Sequence, residues 1–221
     1  MQKIFINVAI ASLAVLVALF IHDRLKSSRA PGGIVTGAEK SENLADSAPA
    51  HVANSTEPVN LLDNSGFDTG MEGWTAVPGS TMTFISNDDA EQKSASGSLE
   101  ISAHSTTGNP SAFALSKCFP VVGSAPFSFG AHTKVGKDES GNATFNCAAF
   151  SDAKCLRVAS EILTSVPSYL GTEWREMGPS AGVLPVRAQW AKCALSTTAG
   201  LGKNAISARM DDAYFKSLRP N

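Results

Sequence analysis

Charged residues are scarce in this chain, at 17% of 221 residues, and the formal net charge is -2. A protein that binds nucleic acid usually carries a basic stripe, so this composition argues against a nucleic-acid partner. The four histidines are scattered, which argues against a histidine-based metal site. After residue 75 no stretch sustains a helical apolar period beyond two turns, so the composition and pattern favour a β protein.

The four cysteines include no C-x-x-C pair, which argues against a zinc site. The closest two in sequence, Cys147 and Cys155, have seven residues between them. An even number of well-spaced cysteines predicts two disulfides, and disulfides persist in an oxidising compartment.

Residues 4–21 form an apolar run without a charge, near the lower length limit for a transmembrane helix. We therefore predict a signal anchor over residues 1–26, with secretion after cleavage as the alternative. Arg24, Lys26 and Arg29 come after the run, and charge counting would keep the C-terminal side in the cytoplasm. The cysteines favour the opposite orientation. We expect a single-pass protein of a bacterial inner membrane whose domain faces the periplasm.

Residues 27–58 are rich in Ser, Ala and Glu and show no apolar period, which predicts a flexible linker.

A folded domain is expected over residues 59–218. Short alternating segments separated by Gly, Pro, Asn and Ser predict two packed antiparallel sheets. The predicted strands are 81–85, 98–102, 127–135, 143–150, 174–177, 188–195 and 205–215. Residues 157–163 fit a short helix or a strand equally well, and residues 200–202 predict a hairpin turn.

Two motifs mark the ends of this domain: NLLDNSGFDTGMEGW at residues 60–74 and RMDDAYF at residues 209–215. Together they resemble the two ends of a carbohydrate-binding-module-like jelly roll of the family 4, 9 and 22 type, which has the galactose-binding-like fold. The resemblance covers residues 59–218. It implies an all-β, two-sheet antiparallel β-sandwich (a jelly roll) in which the first and last strands are neighbours.

The resemblance also implies a disulfide pairing. Such folds place the strands of Cys147 and Cys193 side by side, and this pairing leaves Cys118 with Cys155. Four cysteines allow three connectivities, and the main alternative is a bridge between Cys147 and Cys155.

Many relatives of this type carry a structural calcium ion beside the terminal strands. The matching positions here are Asp68 and Asp211, and Asp68 stands where glutamate is commoner. Calcium needs six to eight oxygen ligands, so backbone carbonyls around residues 88–98 would have to supply several. The alternative interpretation is that both aspartates cap turns or strand ends.

Glycan binding needs an aromatic surface on which a sugar ring can stack. If Ala191 and its period-two neighbours face the core, Trp190 faces outward. We therefore predict that Trp190 forms such a surface, with Gln189 and Arg187 as hydrogen-bonding groups and Tyr214 as a weaker candidate. A loop covering Trp190 is the alternative. The resemblance implies that Trp74 and Trp174 are core residues.

Residues 178–182 formally match the G-x-S-x-G motif of serine hydrolases. That motif needs a strand, a sharp turn and a helix, and here Pro179 precedes Ser180 while no histidine follows His132. We predict no enzymatic activity.

The predicted function is that of a membrane-anchored, envelope-exposed domain that binds a polysaccharide or other glycan. The alternative is a structural or protein–protein interaction domain of a bacterial envelope assembly with no sugar ligand.

Overall fold

The computed structural model describes residues 57–91, 96–136, 140–159 and 171–218. These ranges contain eleven strands and no helix. The strands are β1 (Val59–Asn60), β2 (Trp74–Ala76), β3 (Thr81–Ile85), β4 (Ser98–His104), β5 (Ser111–Ser116), β6 (Phe119–Pro120), β7 (Pro126–Val135), β8 (Gly141–Phe150), β9 (Arg175–Val183), β10 (Trp190–Ala199) and β11 (Ala205–Ser217).

The strands form two antiparallel sheets, which confirms the predicted all-β class. The six-stranded sheet has the order β3-β4-β11-β7-β9, and β1 pairs with β11 beside this path. The five-stranded sheet has the order β2-β5-β10-β6, and β8 pairs with β10. Val59 lies opposite Ser217, so the first and last strands are neighbours, as predicted.

The core follows from the two-residue period of the strands. On β7, Phe127, Phe129 and Ala131 occupy every second position, and all three are buried. The rings of Phe127 and Phe215 stack at a centroid distance of 5.6 Å, and Phe129 meets Phe145 edge-on at 6.0 Å. Side chains from both sheets therefore meet in one apolar layer.

The residues of the N-terminal motif have structural functions. Asn60 bonds to the backbone of β11, and Asn64 Nδ2 donates to the carbonyl of Gly70 at 2.8 Å. Phe67 is fully buried and contacts Trp74, with ring centroids 5.8 Å apart. Trp74 is a core residue, as predicted, with 6% of its surface exposed.

Both disulfides have the predicted partners. Cys147 and Cys193 lie directly opposite each other on β8 and β10, with Cα atoms 4.0 Å apart. Cys118 is bonded to Cys155, which ties the start of β6 to the loop after β8. The alternative bridge between Cys147 and Cys155 is wrong.

Two local predictions need correction. Residues 200–202 form a turn, but not a hairpin, because β10 and β11 belong to different sheets. β5 was not predicted, although its buried and half-buried residues alternate strictly.

Some predictions fall on residues that the structure does not describe. The membrane anchor over 1–26 and most of the linker over 27–58 lie outside the described residues, and so do residues 160–163. Of the segment 157–163, for which both a helix and a strand were considered, Val158 forms an isolated β-bridge with Phe150. Among the described residues, no helix has the length and apolarity needed to cross a membrane.

Candidate functional site

Trp190 lies at one end of the outer surface of the five-stranded sheet. Ala191, Cys193 and Leu195 face the core and are fully buried, which leaves the alternate residues of β10 on the outer side. Trp190 itself is half-buried. In the sheet register it lies between Pro120 of β6 and Phe150 of β8.

The rest of this surface is mostly uncharged. Ser196 lies opposite Thr144 on one side and Phe113 on the other. Its hydroxyl hydrogen-bonds to that of Thr144, and the hydroxyls of Ser111 and Thr198 are 3.0 Å apart. We call this surface the Trp190 face; it consists of Trp190, Lys192, Ser196 and Thr198 with Ser111, Phe113, Thr144 and Asn146. Thr144, Asn146 and Ser196 are buried, so the accessible polar groups are those of Lys192, Ser111 and Thr198.

Gln189 and Arg187 lie in the segment that leads into β10. The Gln189 N–H donates to the Phe150 carbonyl and its own carbonyl accepts from Val121, so its backbone position is fixed between β6 and β8. Both side chains are exposed. Gln189 and Arg187 thus lie on the exposed segment that precedes Trp190, at one end of the Trp190 face.

Tyr214 is not part of this group, because it lies on β11 in the other sheet. It is opposite Gly130 of β7, where a Cβ would come within 2.6 Å of the Tyr214 hydroxyl. Because Gly130 has no side chain, the Tyr214 ring can lie over β7. The Tyr214 hydroxyl hydrogen-bonds to Glu176 of β9. Burial raises the pKa of Tyr214, and Glu176 raises it further. Lys216 Nζ lies 5.0 Å from the Tyr214 ring centroid.

Trp174 is not a core residue, which corrects the prediction. It is half-buried and donates from Nε1 to Asp88 Oδ1 at 3.1 Å. Lys134 Nζ also binds Asp88, at 2.6 Å, and lies 4.7 Å from the Trp174 ring centroid. Trp174 is therefore held on the outer side of the six-stranded sheet by a carboxylate and a cation.

Asp88 is the centre of a charge network on that sheet. It accepts hydrogen bonds from Lys134, Trp174 and Arg209, and Arg209 Nε also donates to Glu100 at 2.8 Å. Burial by itself would raise the pKa of Asp88, but the three hydrogen bonds outweigh it and hold the pKa below its ordinary value. The cations of this network are thus matched by carboxylates.

The predicted calcium ligands differ in their surroundings. Asp68 is exposed, whereas Asp211 is buried with 1% of its surface accessible. Burial raises the pKa of Asp211 to about 7, even though N–H groups of Ala90 and Asp212 donate to its carboxylate. The nearby carboxylates of Asp212 and Asp89 raise this pKa as well.

Asp212 was not singled out in the sequence, yet it lies close to Asp68. Both carboxylates come within 4 Å of the position that a Cβ on Gly66 would take. Asp89 Oδ2 is buried without a hydrogen-bond partner. Within the described ranges no three His, Cys, Asp or Glu side chains gather as a metal-binding group. These carboxylates can accommodate a cation only if backbone carbonyls complete its ligand shell.

Other potential sites are poor. Residues 178–182 lie inside β9, so the hydrolase-like motif has neither the sharp turn nor the helix that its chemistry requires. A small cavity of about 10 Å³ is lined by Leu62, Asp63, Gly73, Ser116, Lys117 and Phe119. It has room for one water molecule and none for a sugar ring.

Comparison with solved structures supports the fold. The chain resembles the enzymatically active domain of tailspike protein 4 of bacteriophage CBA120, with a TM-score of 0.55 and 14% identity over 72% of this chain, but it spans only 21% of that chain. It also resembles the CBM22-1 xylan-binding domain of Paenibacillus barcinonensis Xyn10C, with a TM-score of 0.50 and 11% identity, covering 76% of this chain and 99% of that one.

A third similar structure is the arabinose-bound α-L-arabinofuranosidase MgGH51, with a TM-score of 0.50 and 13% identity, covering 76% of this chain and 28% of that one. No protein-family model and no curated protein matches the sequence. At these identities the structural likeness establishes the jelly-roll fold that carbohydrate-binding modules share, and the ligand has to be argued from the site.

Proposed function

We propose that residues 59–218 form a non-catalytic domain that binds a polysaccharide across the Trp190 face. The observation that carries the proposal is a half-buried tryptophan at one end of a sheet surface, with Lys192 next to it on the same strand and the accessible hydroxyls of Ser111 and Thr198 at the other end. The C–H face of a sugar ring stacks on an indole, and sugar hydroxyls exchange hydrogen bonds with Ser and Thr side chains.

The shape of the Trp190 face favours a polymer over a single sugar. From Trp190 to Thr198 the strand extends about 27 Å, at ~3.4 Å per residue. A glycan chain lying along β10 would contact the indole at one end and Phe113 near the other.

Trp190→Ala and Trp174→Ala are the matched variants for a test. Both tryptophans are half-buried, but Trp190 is on β10 of the five-stranded sheet, whereas Trp174 directly precedes β9 of the other sheet. We expect Trp190→Ala to weaken retention on insoluble polysaccharides at least about tenfold, the equivalent of 1.4 kcal/mol, and Trp174→Ala to leave it unchanged. Circular dichroism checks that both variants are folded.

Two outcomes of this experiment count against the proposal. Equal retention of both variants would place the ligand elsewhere. If a broad glycan panel shows no retention of the wild-type domain, and cross-linking in cells yields one stoichiometric protein partner, the domain belongs to an envelope assembly instead.

A structural calcium ion is part of the proposal. Asp68 and Asp211 would be its side-chain ligands, and the support is the buried, poorly neutralised carboxylates of Asp89 and Asp211. A bound cation would supply the missing positive charge and stabilise the contact between the N-terminal loop and β11. We expect calcium to raise the melting temperature of chelator-treated protein, and Asp211→Asn to abolish that increase. An unchanged melting temperature in the wild type would refute a calcium site.

We also propose that the chain is anchored in a bacterial inner membrane with this domain in the periplasm. The apolar run at residues 4–21 and the two disulfides support this arrangement. Fractionation of cells that express the full chain tests it. Recovery of a shortened protein in the soluble periplasm or the medium would instead show secretion after cleavage.

A further inference from the structure

Acidic residues are distributed unevenly between the two sheets. Strands β2, β5, β6, β8 and β10 contain no Asp or Glu. The strand carboxylates are those of Glu100, Glu176, Asp211 and Asp212, and all lie in the six-stranded sheet. The Trp190 face therefore belongs to a sheet whose strands carry no negative charge.

Basic residues lie on the chain segments next to Trp190. Lys192 is two positions along β10 on the same side, and Arg187 is three positions before it. Lys154 and Arg157 belong to the loop 151–159, which directly follows the β8 residue paired with Trp190. Lys154, Arg157 and Arg187 are exposed and form no ion pair with any described residue.

The loop 151–159 is fixed in place beside Trp190. Its Cys155 is bonded to Cys118, and Cys155 Sγ lies 3.8 Å from the carbonyl oxygen of Ala191. Val158 forms a bridge with Phe150, and Ala159 N–H donates to the Ala149 carbonyl at 2.9 Å. The charges of this loop are therefore held near the Trp190 face.

The only carboxylate in this loop is already engaged. Asp152 accepts hydrogen bonds from the backbone N–H groups of Lys154 at 3.1 Å, Leu156 at 3.3 Å and Arg157 at 2.6 Å. It closes the turn and does not pair with the Lys154 or Arg157 side chains. The segment 184–189 contains no acidic residue. Lys117 is not one of these cations, because it lines a small cavity together with Asp63.

We propose that the ligand of the Trp190 face is an acidic polysaccharide, one whose sugar rings carry carboxylate groups. This inference rests on the proposed function and specifies its ligand. The indole stacks on a ring, and Lys154, Arg157 and Arg187 attract the carboxylates. These three side chains form no ion pair with a described carboxylate, so their positive charge favours an anionic ligand at this end of the sheet. On the other sheet, by contrast, Arg209 and Lys134 are paired with Glu100 and Asp88.

The test compares binding to a uronic-acid polymer with binding to the same polymer after its carboxyl groups have been reduced to alcohols. The ring contacts are alike, and only the charge differs. We expect the wild-type protein to bind the acidic polymer at least about tenfold more tightly at low salt. The preference should shrink as salt rises, because the screening length falls to about 8 Å at physiological ionic strength.

Two double variants each remove two positive charges, but at different places on the domain. Arg157→Gln with Arg187→Gln alters the surroundings of Trp190, whereas Lys203→Gln with Lys216→Gln alters exposed lysines in the β10–β11 turn and on β11. We expect the first pair to lose about tenfold in affinity for the acidic polymer with little change for the reduced one. The second pair should bind both polymers like the wild type.

Each contrary outcome has a distinct meaning. Equal affinity for both polymers in the wild type overturns the acidic-ligand inference and leaves the proposed function intact. Equal losses in the two double variants, or full binding of the acidic polymer by Trp190→Ala, would show non-specific charge attraction and also overturn the inference. Binding to neither polymer by the wild type, together with no retention on any other glycan, removes the proposed function itself.

Discussion

The side-chain oxygen of Asn60 accepts a hydrogen bond of 3.0 Å from the N–H of Phe215, which lies 155 positions later in the chain. Asn60 Nδ2 also donates to the Ala213 carbonyl at 3.2 Å. Between Asp211 and Tyr214 the pairing of β11 with β7 is interrupted by a bulge, and the Ala213 N–H donates to the carbonyl of Ser65 instead. The N-terminal loop thus supplies hydrogen-bond partners for the β11 backbone at the bulge and just after it.

Replacing Asn60 with Ala should lower the free energy of unfolding by about 1–3 kcal/mol, because N–H groups of Leu62 and Phe215 lose their acceptor. Asn60→Asp keeps the acceptor and loses only the donor to Ala213, so its loss should be smaller. Urea unfolding of the three proteins measures both differences. An Asn60→Ala variant as stable as the wild type would contradict this account of the motif.

Gly130→Ala should destabilise the protein by about 1–3 kcal/mol, the usual cost of overpacking. The added Cβ would lie 2.6 Å from the Met177 carbonyl oxygen and 2.6 Å from the Tyr214 hydroxyl. Gly66→Ala is the control, since its Cβ would meet no atom closer than 3.7 Å. Thermal unfolding should show a clear decrease for the first variant and little change for the second. Similar melting temperatures would argue against the packing of Tyr214 over β7.

Asp88→Asn should lower stability at neutral pH by about 1–3 kcal/mol, since Lys134 and Arg209 lose their shared anion. The pKa of Asp88 is lowered in the folded state from its ordinary value of 3.8. Its stabilising contribution is therefore complete above about pH 4 and is lost as the pH falls through the lowered pKa. Unfolding curves of wild type and variant should converge as the pH falls below this lowered pKa. If the stability difference between wild type and variant stayed constant across the acid range, the negative charge of Asp88 would not be the source of its stabilising effect.

Removal of the disulfides by paired alanine substitutions should affect the two bridges differently. Loss of Cys147–Cys193 should cost about 2–4 kcal/mol, because this bridge closes a separation of 46 residues and both cysteines are buried. Loss of Cys118–Cys155 should also release the loop 151–159. We expect faster tryptic cleavage after Lys154 and Arg157 in that variant. Unchanged cleavage would show that Asp152 alone holds the turn.

Periodicity and motif predicted much of the fold. The alternation of Phe127, Phe129 and Ala131 is enough to identify a strand with one buried face, because side chains on a strand point alternately to its two sides. β5 has the same signal in the alternation of Ala112 and Ala114 with less buried neighbours, and a stricter search for period two would have found it. The motif at residues 60–74 correctly predicted that the ends of the domain are adjacent.

The sequence was less informative about which side chains share a surface. Trp174 fits a core position in the resemblance, but Asp88, which lies 86 residues away, binds its indole N–H on the outer side. Tyr214 and Trp190 are both half-buried aromatics on long strands, and only the sheet order shows that they belong to different sheets. The acidity of Asp211 likewise depends on burial and on Asp89, which is remote in sequence.

The chain by itself determined the strand class, the presence of two disulfides and the outward direction of Trp190, because these follow from composition and from the geometry of single strands. The tertiary structure alone decided that the loop carrying Lys154 and Arg157 starts directly after the β8 residue paired with that tryptophan, while the carboxylates of the strands lie on the opposite sheet. Such groupings arise from pairings between distant segments. No local pattern encodes them, since each depends on where β6, β8 and β10 meet.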